Sequence, residues 1–123
     1  VRTAGDVTTT STTLVDLTAA SITLTTGAFP TTILFTCTSN TNGLGILYLN
    51  VDIDGSLELG TAGIFSYTKI AHYFEFTSIA HQSAALTAAS HTFKIQWKVS
   101  SGYTGTIEAD SATPYSFSVS EIR

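Results

Sequence analysis

Charge is what this chain has least of. Only 11% of its 123 residues are Asp, Glu, Lys or Arg, against about a quarter in ordinary globular proteins. The five basic residues, Arg2, Lys69, Lys94, Lys98 and Arg123, are scattered, and the net charge is −4. No basic stripe exists to neutralise phosphates or anionic lipid, so nucleic acid and membrane partners are disfavoured. No run of about eighteen apolar residues occurs, and no basic-then-apolar leader opens the chain. The chain is therefore expected neither to span a bilayer nor to carry a signal peptide. Methionine is absent, and the one cysteine, Cys37, cannot form an internal disulfide. Cys37 shares a strand face with Ile33 and Phe35, so it reads as a small buried hydrophobe. Helical periodicity is missing as well, because β-branched residues and glycines interrupt every candidate window. Residues 79–90 are the best candidate for a single helical turn.

What fills the deficit is threonine, roughly a fifth of the chain, which gives a β-prone and sparsely charged surface. Apolar residues make up 43%, enough to bury a core and too many for disorder. The clearest strand signal is His91 to Val99. His91, Phe93, Ile95, Trp97 and Val99 fall on one side, and Thr92, Lys94, Gln96 and Lys98 on the other. Similar short segments recur: Thr12 to Leu17, Ser21 to Thr26, Thr31 to Thr38, Gly45 to Asp54, Leu57 to Leu59, Ile64 to Lys69, Tyr73 to Ile79, Gly105 to Ala109 and Tyr115 to Ile122. Turn chemistry separates several of them, above all Asp54-Gly55, a tight-hairpin signal. About eight main strands with mixed connections predict an all-β fold, an antiparallel β-sandwich of jelly-roll-like type. The chain is expected to be one such domain over 11–123, preceded by an ordered N-terminal arm over 1–10. That arm is polar and Thr-rich, with few apolar anchors, and a neighbouring subunit is a plausible holder for it.

Two strands carry apolar residues on both faces. In 46–53, Leu47, Leu49, Val51 and Ile53 point one way, and Ile46, Tyr48, Asn50 and Asp52 the other. In 73–77, Phe74 and Phe76 share a face while Tyr73 takes the outer side with Glu75 and Thr77. An outer surface carrying Ile46, Tyr48 and Tyr73 is a candidate subunit contact. Val7 and Leu14, apolar residues of the N-terminal stretch, join them. Tyr103, in a glycine-flanked loop, is the candidate ligand or receptor contact, since sugar binding uses exposed rings beside polar groups.

Catalytic and metal chemistry is not signalled. Asp52 and Asp54 resemble a fragment of a calcium loop, but the oxygen ligands expected further along are missing, so a hairpin turn is favoured. His72, His81 and His91 are too widely spaced for a local zinc motif. No nucleophile elbow, phosphate loop or dinucleotide fingerprint occurs. The expectation is a protein without enzymatic activity, metal or cofactor.

A family likeness rests on Asp6 to Leu17, on Val51-Asp52-Ile53-Asp54-Gly55, and on Ala89 to Lys98 followed by a glycine-containing loop and Thr106-Ile107-Glu108-Ala109. In their order and spacing these stretches resemble a β-sandwich domain of bacteriophage virion proteins. The likeness implies a structural role on a virion surface, often as a trimer with jelly-roll-like sheets around a threefold axis, and it carries no catalytic residue. Read as a lone domain, the chain is expected to lack the fibre shaft or anchoring domain of a tail fibre, which favours a capsid decoration (cement) subunit. Such a subunit would contact copies of itself, as a homotrimer, and a capsid or other virion protein. The alternatives are a receptor- or glycan-binding head of a phage fibre and a subunit of an extracellular pilin-like filament. In the filament case, 7–17 would complete a neighbour's sheet.

Overall fold

The computed structural model describes residues 1–67 and 74–123, and within them ten strands and no helix. They are β1 (Val7–Thr9), β2 (Val15–Thr25), β3 (Thr31–Thr41), β4 (Ile46–Ile53), β5 (Ser56–Leu57), β6 (Ile64–Tyr67), β7 (Glu75–Gln82), β8 (Ser90–Val99), β9 (Gly105–Ile107) and β10 (Ser116–Glu121). Two antiparallel sheets result. In the first, β3 is flanked on one side by β7, and on the other by β10 over Thr31 to Thr36 and β9 over Ser39 to Thr41; β1 closes on β9. In the second, β8 lies between β2 and β4, and β4 carries β6 and β5 along its far edge. With β9/β10 and β5/β6 each sharing one strand position, the sheets read β1, β9/β10, β3, β7 and β2, β8, β4, β5/β6. That order is a jelly roll, in which the chain crosses between sheets at most of its connections.

The core forms because the alternation is regular. β8 buries His91, Phe93, Ile95, Trp97 and Val99, and β4 buries Leu47, Leu49, Val51 and Ile53. Facing them from the first sheet are Ile33, Phe35, Cys37, Ile79, Ile107 and Phe117. Trp97, Tyr115, Phe35 and Phe93 are the largest fully buried side chains, each contributing roughly 1.5–3 kcal/mol by leaving water. Phe35 meets Tyr115 and Phe117 ring to ring, with centroids 5.6 and 6.4 Å apart. The Tyr115 hydroxyl donates to the Thr18 carbonyl, so this polar atom is satisfied inside the core.

Three local expectations are corrected. Thr12 to Leu17 and Ser21 to Thr26 are not separate strands. They merge into β2, which begins only at Val15, ends at Thr25 and carries a bulge between Asp16 and Ser21 with Ala19 at φ 61°. Nothing in Thr18-Ala19-Ala20 breaks a strand, so the chain kinks and continues. Residues 79–90 do not form a helical turn: 79–82 complete β7, and an irregular connection leads to β8. The N-terminal arm is held by its own chain. Arg2 N–H donates to the Tyr115 carbonyl and Gly5 N–H to that of Ala109, both at 2.9 Å, and β1 pairs Val7 with Ile107.

Candidate subunit interface

The parity of β3 and β7 decides what the first sheet shows to the outside. Ser83 N–H donates to the Thr31 carbonyl, so odd-numbered residues of β3 and β7 exchange backbone hydrogen bonds with each other. Their side chains, Ile33, Phe35, Cys37 and Ile79 among them, point into the core. Even-numbered side chains therefore point out: Thr32, Leu34, Thr36 and Thr38 on β3, and Phe76, Ser78, Ala80 and Gln82 on β7. Ser116, Ser118 and Ser120 extend the surface on β10, with Ser118 opposite Leu34. None of these side chains is charged. Leu34 is 46% exposed and Phe76 72%, with Phe74 also exposed at the entrance to β7. Threonine and serine supply a level surface around these apolar residues.

The opposite outer face is built differently. Lys94 donates to Asp16 Oδ2 and the Gln96 amide to Asp16 Oδ1, both at 2.8 Å. These two hydrogen bonds hold the Asp16 carboxyl below its ordinary range, and the same contact raises Lys94. Asp52, Asp54, Gly55, Thr92, Lys94 and Gln96 line a shallow depression of about 520 Å³. Lys98 sits 4.9 Å from the centroid of the Tyr48 ring, which in turn lies 5.9 Å from Phe65. The second sheet thus presents ion-paired charge, whereas the first presents none across β3, β7 and β10, and its carboxylate Glu108 lies beyond the end of β9, beside Thr38.

The proposed contact residues do not converge. Val7 is half-buried and packs against the core beside Ile107 in the first sheet. Ile46 and Tyr48 are half-buried on the outer side of the second sheet, next to β6. Leu14 is half-buried just before β2, and Tyr73, like His72, lies outside the described residues. The ring of Tyr103 packs flat on its own chain: a Cβ at Gly43 would come within 2.6 Å of it and one at Gly45 within 2.7 Å. Both glycines are therefore required where they stand, and the ring covers an end of the sandwich.

Of the two apolar residues that mark the uncharged face, Leu34 falls on the face opposite the buried Ile33, Phe35 and Cys37 as the alternation predicts, whereas Phe76 was visible in the sequence with the wrong parity. Phe74 and Phe76 read as the apolar face of their segment, yet Phe76 points outward. The reason lies three residues on, where Ile79 takes the core position and fixes the faces of the whole strand.

The titratable groups serve the fold. Burial pushes the Cys37 thiol up to about 12. Asp54 and Gly55, at φ 52° and 90°, form the expected hairpin turn. The Asp54 carboxylate accepts from Thr92 N–H at 2.8 Å and contacts His91 Nδ1 at 2.6 Å. His91 Nε2 faces the Thr87 carbonyl at 2.9 Å. With an acceptor at each ring nitrogen the imidazolium is favoured, and the His91 pKa is raised, chiefly by Asp54. His81 Nε2 lies 3.1 Å from Glu58. Among the described residues no group of three or more His, Cys, Asp or Glu is arranged to hold a metal ion. Compared with models of known protein families and with curated protein sequences, the chain matches none.

Proposed function

We propose that this protein is a non-enzymatic structural subunit of a virion, a capsid decoration protein that stabilises the shell from its outer surface and assembles with copies of itself as a trimer. The observation that carries this reading is the uncharged stretch of the first sheet's outer face over β3, β7 and β10. Leu34 and Phe76 stand open to solvent there among serines and threonines. An exposed phenylalanine on a level sheet face is stabilised by roughly 1.5–3 kcal/mol when a neighbour covers it. A surface without charge can be covered with no ionic group to desolvate. The jelly roll and the resemblance to phage virion domains supply the setting. The polar, almost unguarded exterior suits a protein whose work is contact.

Leu34→Glu tests the reading, because the side chain points outward and its loss leaves the core intact. The variant is expected to fold with an unchanged thermal midpoint, to lose trimer mass, and to bind its particles at least about tenfold more weakly, as for a charge placed in a buried contact. A variant that remains trimeric and decorates particles as well as the original would overturn the assignment.

A further inference from the structure

The same parity that turns Phe76 outward also leaves a sheet edge open. Odd residues of β7 spend their backbone groups on β3, so the N–H and C=O of Phe76, Ser78, Ala80 and Gln82 point off the edge. Among the described residues no strand pairs with that side. Sheet proteins ordinarily guard such edges with lysine, proline, a bulge or a short strand. β7 has no lysine, proline or bulge over its eight residues, and its ionisable side chains, Glu75 and His81, fall on the inward set, with His81 against Glu58. It pairs with β3 without interruption from Gln82 to Glu75, and its outward side chains are uncharged.

We infer that β7 is a pairing edge for a second copy of this chain, joined antiparallel to its counterpart across a twofold axis. The partner is a second copy because the edge is complementary to itself. With the axis at Ile79, Ser78 of one copy lies opposite Ala80 of the other, and Phe76 lies opposite Gln82. Every outward backbone donor then meets an outward acceptor. The central residues are small, so the strands approach without a clash, and the Phe76 rings gain a neighbour at each end of the seam. The chain carries a net charge of −4, so most like-with-like contacts would bring carboxylates together. This seam brings together no charged side chain at its four outward positions. The uncharged outer faces become one continuous surface across both copies. The pairing does not depend on the virion reading, since it follows from backbone geometry and side-chain chemistry alone.

The test is the mass and association constant of the isolated full chain by sedimentation equilibrium, with two variants that change the same exposed positions. S78K/A80K puts positive charge on both sides of the seam and is expected to weaken self-association at least about tenfold. S78K/A80E sets opposite charges across the same seam and is expected to restore it to within a few-fold of the original. Both must show the original thermal midpoint, as substitutions at outward positions should. A chain that stays monomeric at high micromolar concentration, or an oligomer equally strong in all three proteins, would overturn the inference.

Discussion

At the scale of single residues, His91 couples two distant turns. It closes the Asp54-Gly55 hairpin onto the connection before β8, and both contacts need donors on the ring. Because its folded pKa is raised, this contribution to stability is complete below the unfolded value of about 6.5 and is lost as pH rises through the folded value. The thermal midpoint is therefore expected to fall on going from about pH 6 to above the folded pKa. His91→Gln should flatten that dependence, and a variant with the same pH profile as the original would disprove the role. The inward place of His91 was legible from the alternation of β8. Its partner was not, because Asp54 is 37 positions away and nothing local pairs them. The same holds for Tyr115 and Thr18, 97 positions apart, the latter inside the bulge of β2.

For the strands, legibility followed the strength of the pattern. β8 and β4 present one continuous apolar face, and their limits and inward residues could be read directly. β7 could not, since Phe74 and Phe76 argue for one parity and Ile79 for the other, and a single-residue slip exchanges the faces. Long-range pairing settled it, through the register of Phe35 with Ile79. Two substitutions separate the alternatives. Ile79→Ala is expected to cost about 2–5 kcal/mol in the isolated subunit, whereas Phe76→Ala should change unfolding free energy by less than about 0.5 kcal/mol. Equal losses in denaturant titrations would mean that the parity is wrong.

For the whole molecule, the fold class was legible because turns and short strands recur along the entire chain, and the jelly-roll order emerged only from pairings far apart in sequence. The N-terminal arm is the instructive case. Its composition suggested an extension anchored elsewhere, yet β1 covers β9 and the segment before it binds Tyr115 and Ala109. Removing residues 1–10 is accordingly expected to lower the stability of the domain itself by about 2–4 kcal/mol, by unpairing the outer edge of β9 and opening the core beside Ile107. An unchanged midpoint after truncation would show the arm to be dispensable for folding.

One further property follows from Cys37. The chain holds a single thiol, on the central strand of the first sheet and 2% exposed. An alkylating reagent can reach it only when the two sheets part. Its labelling rate then measures the frequency of that opening, so the molecule contains its own clock for sandwich breathing. The clock needs no engineered probe. Read on the protein alone and again in the proposed assembly, it would report directly how far a neighbour holds the sandwich shut.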